Sequence, residues 1–223
     1  MRKLWGTAFV AAVVAVTAWD TAAQEPNFGR AIAVTERELL IGQPVNWYGP
    51  GVVYSYRLDP AGAWRERSRL MASDSARMDD FGRSLAIDRN TLIVGAPRKH
   101  EGSGVAYVFE RTSAGADWRQ AGIIEPPATG DHSEYASSLA INGDDLLIGA
   151  PAVDATGVVY HFRRARGAWT LRDVVRPTVA LAGAAFGRTI SVDGDWLLVG
   201  APGRRLGGGE GVLLAPPTER RLG

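Results

Sequence analysis

The chain repeats itself four times, and this internal repeat constrains its fold more than any other feature. Each unit begins with Phe-Gly-Arg or a counterpart of it, and two further markers follow in fixed order. The units begin at Phe28, Phe81, Tyr135 and Phe186, which are 53, 54 and 51 residues apart. A fixed period of this length predicts a repeat architecture in which neighbouring units bury each other's apolar faces.

The two later markers keep the same intervals as the first. The second reads Gly42-Gln43-Pro44, Gly95-Ala96-Pro97, Gly149-Ala150-Pro151 and Gly200-Ala201-Pro202. The third reads Gly51-Val52-Val53-Tyr54, Gly104-Val105-Ala106-Tyr107, Gly157-Val158-Val159-Tyr160 and Gly211-Val212-Leu213-Leu214. A tryptophan closes only the first three units, at Trp64, Trp118 and Trp169.

Each complete unit predicts four short strands. In the second unit they span 83–87, 91–96, 105–110 and 118–124, with an apolar run at 92–94 and Pro97 ending the second strand. Four strands in about 50 residues are typical of a β-propeller blade. The predicted fold is all-β, with propeller-type repeats of four-stranded antiparallel blades. The units are 28–80, 81–134, 135–185 and 186–223, and the last one is incomplete.

The Phe-Gly and Gly-Ala-Pro elements resemble FG-GAP repeats, which build the propeller heads of integrin α-subunits and occur in secreted bacterial proteins. The units that begin at Phe81 and Phe186 carry both elements intact, and the resemblance covers residues 28–215. The first unit departs from the pattern at Gln43, and the third departs at Tyr135 and Ala136.

The resemblance implies a calcium loop between the first two strands of a blade, as in integrin-like members. Calcium requires roughly six to eight oxygen ligands, whereas the links here are short hairpin turns such as Asn142-Gly143 and Asp193-Gly194. Their acidic side chains are interpreted as turn formers that bond to their own backbone. No metal site and no cofactor are predicted, as in a bacterial subgroup without calcium loops.

The N-terminus predicts export. Arg2 and Lys3 precede an apolar stretch over 4–18, and small residues at 21–23 favour cleavage before Gln24. Residues 1–23 are therefore predicted to be a signal peptide, and 24–223 the secreted, periplasmic or cell-surface repeat domain, without a membrane span after cleavage. The remaining chain has 23 basic and 23 acidic residues without a basic block, which argues against a nucleic-acid partner.

Asn46, Trp47 and Tyr48 are the best candidate ligand-binding residues, because large aromatic side chains in a loop often mark recognition of sugars or peptides. The alternative is that Trp47 covers the end of a blade and excludes water from it. No catalytic residue is predicted, and the adjacent acids Asp79 and Asp80 are interpreted as part of the turn before Phe81.

These features favour a non-catalytic binding or adhesion module that recognises a protein or glycan through inter-strand loops. One alternative is a propeller-scaffold enzyme acting on polysaccharide, which requires acidic groups from several units to meet over the channel. Another is a part of a longer multi-blade protein. Because the fourth unit is incomplete, we expect self-association or further blades to close the ring.

Overall fold

The computed structural model describes residues 27–45, 49–127, 132–179, 182–203 and 210–214, the last of these by its backbone only. The predicted signal peptide at 1–23 and the candidate residues Asn46, Trp47 and Tyr48 lie outside the described residues, so both remain predictions. Within the described part, no helix is long and apolar enough to cross a membrane.

The described chain forms four antiparallel sheets, each built from strands that are consecutive in sequence. Blade 1 contains β1 (Ala31–Val34), β2 (Glu38–Gln43), β3 (Val52–Leu58) and β4 (Trp64–Leu70). Blade 2 contains β5 (Ser84–Asp88), β6 (Thr91–Ala96), β7 (Val105–Glu110) and β8 (Arg119–Ile124). Blade 3 contains β9 (Ser138–Asn142), β10 (Asp145–Ala150), β11 (Val158–Ala165) and β12 (Ala168–Val175). Blade 4 contains β13 (Thr189–Asp193), β14 (Trp196–Ala201) and β15 (Glu210–Leu214).

This architecture confirms the predicted fold class, including the incomplete last unit. Each predicted strand of the second unit agrees with the structure to within one residue at either end. Besides the strands, the described residues include one helical turn at Lys99–Gly102 and one 3₁₀ turn at Val153–Ala155. Both turns link the second strand of a blade to the third.

The blades stack face to face in chain order. The inner strands β1, β5, β9 and β13 contact one another in succession, and an apolar cluster fills each of the three junctions. The central strand of blade 2 is buried on both of its faces, and the side chains of Leu92, Ile93 and Val94 are completely inaccessible. This double burial explains why the strand is a continuous apolar run.

The glycine of each of the first three Gly-x-Pro markers lies beneath a backbone carbonyl of the next blade. A Cβ atom added at Gly42 would come within 2.1 Å of the Gly82 oxygen, and one added at Gly95 within 2.2 Å of the Ala136 oxygen. Real Cβ atoms are essentially never this close to another atom. The marker is therefore required by packing between blades.

A hydroxyl group strengthens two of these junctions. Ser84 donates a hydrogen bond of 2.6 Å to the Ala136 carbonyl, and Ser138 donates one of 2.6 Å to the Gly187 carbonyl. Each serine immediately follows the Phe-Gly-Arg element or its counterpart. The start of one blade is thus bonded to the start of the next.

Candidate functional site

Strand order determines which loops share an end of the blade stack. Because the strands are antiparallel, the turn that begins each inner strand lies at the same end as the link between the second and third strands. We call this the upper end, and the opposite one, which carries the other hairpin turns, the lower end. The strand ends that flank residues 46–48 lie at the upper end.

Three arginines from three blades begin the inner strands at the upper end. Arg30, Arg83 and Arg188 occupy the same position of the repeat, and the third unit has Ser137 there. Burial lowers the pKa of Arg83, and the positive charges of Arg30 and Arg188 lower it further. The like charges are therefore close enough to repel one another.

A buried carboxylate lies beside these arginines. Asp80 is only 3% exposed, and its Oδ2 atom is 3.4 Å from Arg98 and 4.0 Å from Arg83. Burial raises its pKa, although the charges of Arg98, Arg83 and Arg30 act in the opposite direction. Its Oδ1 atom is buried and has no hydrogen-bond partner within the described residues. Such an oxygen is costly to bury unless a donor reaches it.

A second acidic group completes the cluster. Glu134 is the counterpart of Asp80 in the third unit, and its Oε2 atom accepts a 2.6 Å hydrogen bond from Arg188. The upper-end cluster therefore consists of Arg30, Asp80, Arg83, Arg98, Glu134 and Arg188. It carries more positive than negative charge, and it collects side chains that lie more than 150 residues apart in sequence.

Asp79 has a structural role next to this cluster. The ammonium group of Lys99, a residue that is only 6% exposed, lies 3.1 Å from carboxylate oxygens of both Asp79 and Asp74. Tyr107 also donates a 2.8 Å hydrogen bond to Asp74. These four residues, which we call the lysine clasp, join the loop of blade 2 to the segment that follows blade 1. The interpretation of Asp79 and Asp80 as simple turn residues was incomplete, since both belong to charged networks.

The upper-end loops have an unusual backbone. His100 and Glu101 have φ angles of 50° and 58°, and the corresponding loop of blade 3 has φ angles of 51° at Asp154 and 57° at Ala155. Non-glycine residues in this left-handed region cost of order 1 kcal/mol each. Backbone strain of this kind often accompanies functional loops. Among the described residues it also occurs at Arg89 and Arg166 in the lower-end turns, but in none of the strands.

The lower-end hairpin turns do not bring a metal site together. The side chain of Asp88 accepts a 3.1 Å hydrogen bond from the Gly143 amide of the next blade, and Asn142 donates one of 3.2 Å to the Gly194 carbonyl. The Asp88 carboxylate thus bonds to the backbone of the neighbouring blade rather than to that of its own turn, which corrects the turn-former interpretation at this position. The described residues contain no cluster of three or more His, Cys, Asp or Glu side chains that could hold a metal ion.

A groove of about 500 Å³ lies on the outer rim between blades 2 and 3. Its lining includes Glu110, Ile123, Phe162 and Trp169. The guanidinium carbon of Arg164 lies 5.3 Å from the centroid of the Trp169 ring. The groove lacks a convergent set of charged groups, so the upper-end cluster is the stronger candidate site.

Sequence reasoning missed the upper-end cluster, although its signal was present. The third residue of each repeat-starting marker reads Arg, Arg, Ser and Arg, and such positions meet around one axis in a stacked repeat. Another missed group is Glu38, which is 3% exposed and accepts hydrogen bonds from Ser55 and from Trp118 of blade 2. This second network joins two blades far from the cluster.

Comparison with known families agrees with the architecture. Residues 64–109 match the family model of the FG-GAP repeat, a segment that runs from β4 of blade 1 to β7 of blade 2. The match therefore includes the Phe81 turn, Gly95 and the junction between the two blades. No curated protein matches the chain.

Proposed function

The chain is an FG-GAP repeat protein, and we propose that it is an exported, non-catalytic β-propeller module that binds an acidic glycan at its upper end. Export is supported by the N-terminal sequence, in which a basic start and an apolar stretch precede small residues. Binding is supported by the upper-end cluster. The inter-strand loops that sequence reasoning favoured for binding belong to the same end.

One observation carries the proposal: arginines from three blades lie beside the buried carboxylate of Asp80, and one oxygen of this carboxylate has no hydrogen-bond partner within the described residues. Guanidinium groups bind carboxylates through paired hydrogen bonds, so Arg30, Arg83 and Arg188 suit an anionic ligand. The Oδ1 atom of Asp80 requires a hydrogen-bond donor instead. A uronic acid provides both, because its carboxylate complements the arginines and its hydroxyl groups donate to Asp80.

Calorimetric titration with oligogalacturonate tests the proposed ligand class. We expect the mature chain to bind this probe and to ignore the same oligosaccharide after its carboxyl groups have been reduced. Binding should weaken as salt is added, because exposed charges are screened. Equal binding of the two probes, or no binding of either, would contradict an acidic-glycan function. Tight binding of an acidic peptide alone would indicate a protein ligand.

Arg83→Gln identifies the binding site within the molecule. We expect this variant to weaken oligogalacturonate binding at least about tenfold, in line with the loss of a charged hydrogen bond. Arg65→Gln is the matched control, because Arg65 is highly exposed at the lower end, where it pairs with Asp59. Equal losses in the two variants would show that the charge acts non-specifically.

The export half of the proposal has its own measurement. The protein recovered from outside the cytoplasm is expected to begin at Gln24, which intact-mass measurement detects directly. Deletion of residues 2–23 should leave the chain in the cytoplasm. An extracellular or periplasmic protein that retains residues 1–23 would contradict cleavage.

An enzymatic function is favoured by one observation. Asp80 has a raised pKa, and it lies in the same cluster as Glu134, whose charge raises that pKa further. Glycosidases use one acid of raised pKa and a second carboxylate. The release of reducing ends from oligogalacturonate, and its loss in Asp80→Asn, would establish hydrolysis. Binding without release supports the non-catalytic module.

A further inference from the structure

The face of blade 1 that points away from blade 2, which we call the leading face, exposes apolar side chains. Phe28, Ile32 and Val34 are 45%, 58% and 62% exposed. Their counterparts in later blades are covered by the preceding blade. Phe81, Tyr135 and Phe186, for example, are at most 1% exposed. Likewise, the counterparts of Ile32 and Val34 all pack into the junction clusters: Leu85 and Ile87, Leu139 and Ile141, Ile190 and Val192.

The opposite face of blade 4, the trailing face, is the complementary surface. Leu198 is 45% exposed, although its counterparts Leu40, Ile93 and Leu147 are at most 3% exposed because the next blade covers them. Trp196, which shares the alternating face of β14 with Leu198, is 52% exposed. The described blades therefore present two apolar faces, one leading and one trailing. At the internal junctions, a face of one kind covers a face of the other.

The trailing face also keeps the polar elements of a blade junction. Among the described residues, a Cβ atom added at Gly200 would meet only Thr189 of its own blade. At the equivalent Gly95, it would also meet the carbonyl of the next blade. Thr189 aligns with Ser84 and Ser138, which donate hydrogen bonds across their junctions. Within the described residues, the Thr189 hydroxyl has no such acceptor.

The leading face carries the matching turn. Gly29 has a φ angle of 83°, close to the values of 90° and 86° at Gly82 and Gly187. It also donates its amide to the Gly42 carbonyl, as Gly82 does to Gly95. A Cβ atom added at Gly29 would meet nothing within 4 Å, since none of the described residues covers this turn. The backbone is thus already in the conformation that docks at the internal junctions.

We propose that two copies of this chain associate head to tail, with the leading face of one copy docked on the trailing face of the other. In this arrangement the Gly29 carbonyl of one copy lies over Gly200 of the other and accepts a hydrogen bond from its Thr189. Phe28, Ile32 and Val34 pack against Leu198 and Trp196. The contact is a fourth example of a junction that the chain already makes three times.

A second copy is the occupant that this geometry favours, because one chain presents both halves of the junction. The contact is heterologous, so two copies can make it twice and close a ring. Two sets of four blades give eight, which is within the range of natural propellers. The association does not depend on the proposed ligand. Failure of glycan binding therefore leaves it unaffected.

Light scattering coupled to size-exclusion chromatography tests the proposal on the mature chain. From about 1 to about 100 µM, a range of ordinary protein–protein affinities, we expect the mass to rise from one copy to two. Leu198→Glu and Phe28→Glu should each remain monomeric throughout this range. Leu171→Glu is the matched control, because Leu171 is 41% exposed on the outer strand of blade 3, and it should associate normally.

Mixing the two variants makes the test specific for a head-to-tail contact. The Leu198→Glu chain keeps an intact leading face, and the Phe28→Glu chain keeps an intact trailing face. Neither associates with itself, but their mixture should form a two-copy complex through one intact junction. A wild-type monomer at every concentration would overturn the proposal, as would dimerisation of Leu198→Glu alone. A mixture that stays monomeric would also overturn it.

Discussion

Gly95 and Gly200 occupy the same position in the repeat, but their surroundings differ. At the junction of blades 2 and 3, Gly95 lies beneath the Ala136 carbonyl, and nearby Ile93 is fully buried. On the trailing face of blade 4, a Cβ atom at Gly200 would meet only its own blade among the described residues, and nearby Leu198 is 45% exposed. The repeat markers therefore encode the contact between blades more than the blade itself.

The largest difference between the two regions is expected at these glycines. Gly95→Ala places a Cβ atom 2.2 Å from the Ala136 oxygen, so the blades must separate. We expect a cost of about 5 kcal/mol, above the usual overpacking penalty, because backbone atoms have to move. Gly200→Ala meets the Thr189 side chain, which can rotate, and should cost about 1 kcal/mol. Urea unfolding at a concentration that keeps the chain monomeric measures both variants. Equal costs would show that the marker glycine serves its own strand.

The aromatic residue that starts each unit should show the next largest difference. Phe81→Ala removes a ring that is 1% exposed, and should lower the free energy of unfolding by about 4 kcal/mol. Phe28→Ala removes a ring that is 45% exposed, and should cost about 1 kcal/mol in the monomer. Each ring packs edge-on against a tyrosine of its own blade, so the two variants lose the same aromatic contact and differ only in what the neighbouring blade contributes. A large loss at Phe28 would indicate that the leading face is covered within one chain.

Leucines on the trailing faces of blades 3 and 4 are expected to show a smaller difference in the free energy of unfolding. Leu147→Ala creates a cavity where blade 4 packs on blade 3, and should cost about 3 kcal/mol. Leu198→Ala, at the same repeat position, should cost about 1 kcal/mol in the monomer. The difference should shrink when copies associate, because Leu198 then becomes buried. Unfolding curves that do not depend on protein concentration would contradict this.

The smallest expected effect on the free energy of unfolding concerns the lysine clasp, to which Asp74 belongs. Hydrogen bonds from Tyr107 and Lys99 outweigh burial and lower the pKa of Asp74. Because its folded-state pKa is lower than the unfolded one, Asp74 adds stability above about pH 4 that is lost as pH falls further. Asp74→Asn should cost about 1 kcal/mol at pH 7, limited by screening of this half-exposed group, and nothing near pH 2.

The control for this pH effect is an ion pair within the third unit, between its upper-end loop and the segment that follows β12. Asp154 pairs with Arg176, and both side chains are more than half exposed. Asp154→Asn should change the unfolding free energy by less than about 0.5 kcal/mol at either pH. If the two variants behave alike, the lysine clasp contributes no more than an ordinary surface pair.

The strands could be predicted from sequence because the signals for them are local. Alternation, an apolar run and the Gly-x-Pro stop placed β6 at Thr91–Ala96 without error. The repeat period then assigned corresponding strands to the other units. The missing tryptophan predicted an incomplete fourth unit, and the three strands that the described residues of blade 4 form agree with this prediction.

The upper-end cluster could not be predicted in the same way, because its contacts cross blades. Asp80 reads as a turn residue until Arg98, in a loop 18 positions later, is found 3.4 Å away. Burial of Glu38 was equally hidden, since its partner Trp118 is 80 residues away in sequence. The prediction for Asn46, Trp47 and Tyr48 remains a prediction, because these residues lie outside the described part of the chain.

Part of the contact between blades is made by backbone atoms, and this has a consequence for how such a chain changes over evolutionary time. A carbonyl over a glycine does not depend on which side chains surround it. The third unit shows this, since Ala136 replaces the usual glycine and its carbonyl still docks on Gly95. A duplicated or deleted unit would therefore meet a neighbour that it already fits. Blade number can change in a single genetic step, while the upper-end loops diverge independently.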